Sequence, residues 1–165
     1  MRGMGTDAEP MAEHVQRWWR EGQAPDGDVI VFGDGRLSVM RFWTTECWSR
    51  AEEVLQATEW TVRHWLDVDV VMASCGYGGY RAYGGESAAH GSIGWVALTR
   101  DDEHRTLEWL AVCSESNPFA EVALDDTRLT AVSTSHDVWT FPRDAPQKVE
   151  INRVTERDRG RFPAG

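Results

Sequence analysis

The sequence predicts an α+β domain: a bent antiparallel meander of about seven or eight strands with two helices packed on one face. Three observations carry that expectation. Beyond residue 92 the apolar runs are short, rich in Val, Leu, Thr and Trp, and closed by turns roughly ten residues apart. Before residue 66, two segments repeat apolar residues at helical spacing. The chain has 165 residues, enough for one domain that buries about 70% of its unfolded surface. That domain is expected over residues 1–151, with residues 152–165 a flexible tail of four Arg and two acids.

Each element has its own signal. Pro10 suits a first helical turn, and Met11, Val15, Trp18 and Trp19 follow at three- and four-residue spacing, so a helix is expected over 10–21. Residues 21–28 are rich in Gly, Pro and Asp and read as a connection. Val29–Phe32 and Leu37–Trp43 are β-rich runs joined by Gly33-Asp34-Gly35-Arg36, a strong hairpin signal because Asp and Gly tolerate positive φ.

Residues 49–72 suit two patterns. Ser49 with Glu52 makes a capping box, and Ala51, Val54, Leu55, Thr58, Val62, Trp65 and Leu66 share one helical face. Yet Trp60, Val62, His64, Leu66, Val68, Val70 and Met72 alternate as a strand would. The favoured reading is a helix from 49 to about 65 and a strand from 67 to 74. Runs at 92–99, 106–113, 119–124, 129–135, 138–141 and 149–151 complete the meander, with Trp95 and Trp109 in equivalent places on paired strands. Among the nine Trp, those at 43, 95, 109 and 139 are expected to cover sheet faces.

Composition excludes several classes. Apolar residues are 41% and charged residues 27%, the balance of a globular protein. No apolar run approaches the length of a membrane span, and the N-terminus lacks a secretion signal, so a cytoplasmic protein is expected. Acids number 27 against 17 bases, giving a net charge of −10, which repels nucleic acid. Lys148 is the only Lys, a skew typical of GC-rich, actinobacterial genomes, whose proteins run acidic. Cys47, Cys75 and Cys113 have no CxxC spacing, and the five His are not paired at ligand spacing, so neither disulfides, nor a metal, nor a cofactor is expected.

The most individual segment is residues 75–94, with Gly at 76, 78, 79, 84, 85, 91 and 94 and Tyr at 77, 80 and 83. It lacks the Gly-Lys-Ser/Thr of a phosphate loop and the Gly-x-Ser-x-Gly of a hydrolase. Its structural reading is a surface loop or a twisted strand pair in which Gly supplies positive φ. Its functional reading is a recognition loop over residues 76–91, with Tyr77, Tyr80, Arg81, Tyr83 and Glu86 presented on an adaptable backbone. Cys75 and His90 flank the loop and are the best candidates for a thiol nucleophile and its base, with Asp67, Asp69 or Glu86 to orient the His. A buried thiol and a solvated His are the simpler reading. Acids also gather in two turns, at Asp101 and Asp102 and at Asp125 and Asp126, where they would steer a basic partner.

In size, acidity, Trp content and this aromatic Gly segment, the chain resembles the immunity proteins of bacterial toxin systems. The likeness is one of kind and rests on no residue-level motif. It implies a cytoplasmic inhibitor that binds a toxin domain, a basic nuclease being the partner such acidic proteins often face. A binding or scaffold domain without a toxin partner and a small enzyme using Cys75 and His90 are the alternatives.

Overall fold

The structure, a computed structural model, describes residues 11–44, 49–57, 65–68, 70–87 and 93–153. Helix α1 (Met11–Arg20) comes first. Strands follow in chain order: β1 (Gln23–Pro25), β2 (Val29–Phe32), β3 (Leu37–Thr44), β4 (Ser49–Ala57), β5 (Trp65–Asp67), β6 (Val70–Tyr77) and β7 (Tyr80–Glu86). Then come β8 (Gly94–Arg100), β9 (Leu107–Cys113), β10 (Phe119–Leu124), β11 (Arg128–Ser133), β12 (Asp137–Pro142), a 3-10 turn (Pro146–Lys148) and β13 (Glu150–Arg153).

The α+β expectation is overturned. Among the described residues α1 is the only α-helix, and the protein is mostly β. Seven strands form one sheet in the order β4-β3-β2-β9-β8-β7-β6, four form a second in the order β10-β11-β12-β13, and β1 pairs with β5. Every pairing is antiparallel. Nor is the order one meander, because β9 returns to pair with β2, setting Val29 opposite Val112 and Phe32 opposite Trp109.

The second expected helix is a strand where it is described. Residues 49–57 form β4, which pairs with β3 from Leu37 opposite Ala57 to Thr44 opposite Ser49. Pairing satisfies the backbone of β3 along its outer edge and packs Ala51 against the core, and tertiary gains of this kind override helix propensity. Of the ambiguous stretch 58–66, only Trp65 and Leu66 are described, and they lie in β5. The expected strand at 67–74 is displaced to β6, beyond Val68. The tail beyond residue 153, Trp48, Trp60, His64, Asp69, His90 and the side chain of Trp43 lie outside the described residues.

The seven-stranded sheet is covered on both faces. One face meets the four-stranded sheet, and Ile30, Phe42, Val96, Leu98 and Trp109 pack there against Phe119, Leu129, Trp139 and Phe141. The other face meets α1, whose Val15 and Trp19 pack on Val29, Tyr83, Trp95, Ala97 and Leu110. Because β8 and β9 touch a core on each side, they read as nearly continuous apolar runs rather than alternating ones. Trp95 and Trp109 consequently lie on opposite faces, against the expectation of equivalent places: Trp95 stands edge-on to Trp19, while Trp109 tilts against Phe141. Their indole N–H groups donate to different carbonyls, Glu86 and Arg143, each at 3.0 Å. No helix among the described residues is long and apolar enough to cross a membrane.

Candidate functional site

The Gly-rich segment is a hairpin, not a loop. Tyr77 pairs with Tyr80 across a two-residue turn in which Gly78 has φ +58° and Gly79 φ +82°. Two consecutive positive φ values are what a tight hairpin turn needs, and only Gly adopts them at little cost. Further along β7 the glycines serve close packing. A Cβ on Gly84 would lie 2.9 Å from Val122 Cγ1, so β10 crosses this hairpin on the core face at a distance only Gly permits.

The turn reverses the expected facing of the tyrosines. Tyr77 and Tyr80 stand opposite each other, Tyr77 being 49% exposed and Tyr80 half-buried against the inter-sheet core. Tyr83 is an odd number of residues from Tyr80, so it faces α1 instead and is buried beside Trp19, with ring centroids 6.0 Å apart. Glu86 sits at the far end of β7. Neither Tyr83 nor Glu86 reaches the surface that carries the hairpin tip.

The other expected residues do come together. The Asp101 amide donates to the Gly79 carbonyl at 2.9 Å, which pins the β8–β9 turn to the hairpin tip. Arg81 donates through Nε and Nη2 to the two Asp101 carboxylate oxygens at 3.3 and 3.5 Å. Arg143 links the second acidic turn to the same place: its Nη1 donates to the Asp125 carbonyl at 2.7 Å, and its guanidinium lies over the Tyr80 ring. Tyr77, Tyr80, Arg81, Asp101, Asp102, Asp125 and Asp126 therefore occupy one end of the sandwich.

Their charges are held in place. Asp102 accepts from the Thr106 hydroxyl at 2.6 Å and the Thr106 amide at 2.9 Å, and these bonds hold its carboxyl below the usual range. Asp125 accepts from the amides of Thr127 at 2.9 Å and Arg128 at 2.8 Å, with the same effect. Both turns thus keep ionised carboxylates at neutral pH. Arg36 and Arg100 pair with their own acids, Asp34 and Glu108, at 2.8 and 2.9 Å. A cleft of about 410 Å³ opens at this end between the pairs, with Phe32, Trp109 and Arg143 on its walls.

Arg143 is the residue that sequence reasoning missed. It follows Phe141-Pro142, which reads only as a corner, and its partners Tyr80 and Asp125 are far away in the chain. Gln16 was missed as well. Its amide donates to the carbonyls of Gly33 at 3.2 Å and Leu107 at 2.9 Å and accepts from the Leu107 amide at 2.8 Å, tying α1 to the cleft.

The thiol candidate is less favourable. Cys75 is half-buried on β6, and burial pushes its pKa up more than the nearby Arg81 guanidinium pulls it down. A nucleophilic Cys requires the opposite shift. Its proposed base, His90, lies outside the described residues. Among the described residues, no cluster of three or more His, Cys, Asp and Glu could hold a metal ion.

Comparisons with known proteins yield no match: no family model fits the chain, and no curated protein or solved structure matches it at a significant level.

Proposed function

We propose that this protein is a cytoplasmic protein-binding inhibitor of the immunity type, which docks the hairpin end of its sandwich onto a basic toxin domain such as a nuclease. The observation that carries the reading is the convergence of three segments distant in sequence. The β6–β7 tip, the Asp101-Asp102 turn and the Asp125-Asp126 turn meet through the Asp101–Gly79 bond and the Arg143 bridge. Exposed Tyr, Arg and carboxylates on a rigid frame favour tight association, since little freedom is lost on binding. The net charge of −10 speeds encounter with a cationic partner.

The test is growth rescue. Co-expression with the toxin domain encoded beside its gene should restore growth. The variant Asp102→Asn/Asp125→Asn/Asp126→Asn keeps the acceptor oxygens of both turns while removing three charges, so it should fold and rescue poorly. No rescue by the wild-type chain sinks the immunity reading. Equal rescue by both chains moves the docking surface away from this end.

A further inference from the structure

We propose that β6 is a strand-addition edge, which captures an extended segment of the basic partner running antiparallel to it, with that segment's cationic residues immediately before its apolar strand. The proposal rests on the reading of the hairpin end as a docking surface and names the form of what docks there. β6 is the terminal strand of the seven-stranded sheet, so its outer row of N–H and C=O groups has no strand partner among the described residues. Edge strands of soluble proteins are usually guarded by charge or Pro. The sequence of β6, Val-Val-Met-Ala-Ser-Cys-Gly-Tyr, has neither. The exposed large hydrophobic residues among the described ones, Val71, Met72 and Tyr77, all lie on it, at 46%, 43% and 49% exposure.

Hairpin geometry says which groups face outward. In a two-residue hairpin the flanking pair exchanges both hydrogen bonds, so Tyr77 and, two residues back, Cys75 turn theirs toward β7. Gly76 and Ser74 then turn their N–H and C=O groups to solvent, where an incoming strand would meet them. Charge complementarity sets the occupant's chemistry and direction. The β6 edge is uncharged, whereas its Tyr77 end abuts Asp101 through Gly79. An antiparallel strand enters at that end, so its basic residues precede residues that are apolar at alternate positions. Main-chain bonds supply affinity in this mode and alternate side chains supply selectivity.

The experiment uses the full chain and two synthetic peptides. One has a run of Arg followed by alternating Val and Thr; the other has the same residues in reverse order. The first should bind at least about tenfold more tightly. It should also slow hydrogen exchange at the Ser74 and Gly76 amides, and Ser74→Pro, which removes one outward donor, should abolish the preference. Equal binding of both peptides, with shifts confined to the acidic turns, overturns strand addition and leaves the hairpin-end reading intact. Binding of neither peptide overturns both. A dimer of the free protein that protects these amides also overturns the proposal, because the edge would then be filled by a second copy. If Ser74→Pro fails to fold, the exchange rates of the wild-type chain decide.

Discussion

The guanidinium carbon of Arg143 lies 4.4 Å from the centroid of the Tyr80 ring, and this contact joins the two sheets at the end where the acidic turns gather. Tyr80 belongs to the seven-stranded sheet, while Arg143 follows the third strand of the four-stranded one. The Trp109 indole fixes the Arg143 backbone by donating to its carbonyl at 3.0 Å. One side chain thus spans the rim of the sandwich and has its own main chain anchored to the core.

Removing that bridge should loosen the rim. A cation–π contact and a charge-assisted hydrogen bond together contribute about 1 to 2 kcal/mol. Arg143→Ala should therefore lower Tm by roughly 2 to 8 °C at this chain length. Arg143→Lys should recover little, since a Lys cannot both stack flat on the ring and reach the Asp125 carbonyl. Calorimetry checks both, and a Lys variant as stable as the wild type would show that only the charge matters.

The thiols should be sluggish. Burial raises the pKa of Cys75 and raises that of the fully buried Cys113 much further. Iodoacetamide at neutral pH should modify Cys75 slowly and Cys113 hardly at all, with the Cys75 rate climbing as pH rises past about 9. Peptide mass spectrometry over time gives the rates. Rapid, pH-independent alkylation of Cys75 near neutrality would restore the nucleophile.

Asp28 offers a test of sign. Its Oδ1 accepts from the Ser114 amide at 2.7 Å and the Ser114 hydroxyl at 2.9 Å, yet burial outweighs these bonds and raises its pKa. A carboxyl whose folded pKa is raised opposes folding once ionised, so its cost appears as pH climbs from about 4 through the folded value. Asp28→Asn keeps the acceptor without the charge. Its Tm relative to wild type should improve between about pH 4 and about pH 7. Asp28→Ala should lose about 1 to 3 kcal/mol because the Ser114 amide is stranded.

The acidic turns have the opposite sign. Asp102 and Asp125 have lowered folded pKa values, so their contribution is complete above about pH 4 and is lost as pH falls through those values. Between about pH 5 and about pH 2, wild-type Tm should fall more steeply than that of Asp102→Asn/Asp125→Asn. Parallel melting curves would mean that neither carboxylate stabilises its turn as an anion.

Local chemistry was legible wherever one short segment decides the outcome. Pro10 and the Val15–Trp19 spacing mark α1, and Asp34-Gly35 marks the β2–β3 hairpin. The Gly78-Gly79 pair is itself a hairpin signal, hidden because five further glycines in residues 75–94 suggested an open loop. The failure at 49–57 was of another kind. A capping box and an apolar arc are local facts, whereas β4 exists because β3 offers it an edge. Seven of the nine expected partner-binding residues reached one surface because acids and glycines concentrate in turns, and the turns of this sandwich share an end. Tyr83 did not, since the parity that sends it inward depends on where the hairpin turns.

The pairing of β2 with β9 constrains how the chain can assemble during synthesis. Residues 29–32 are buried throughout, and one of their two neighbours is not made until residue 112 has left the ribosome. Until then β2 can pair only with β3, and its other edge is a bare row of Val, Ile and Phe backbone. Contacts so distant in sequence slow folding to the millisecond-to-second range, which lengthens the life of that exposed edge. A nascent chain stalled before β9 should therefore aggregate or recruit a chaperone, whereas one released after Cys113 can close the seam between its two halves.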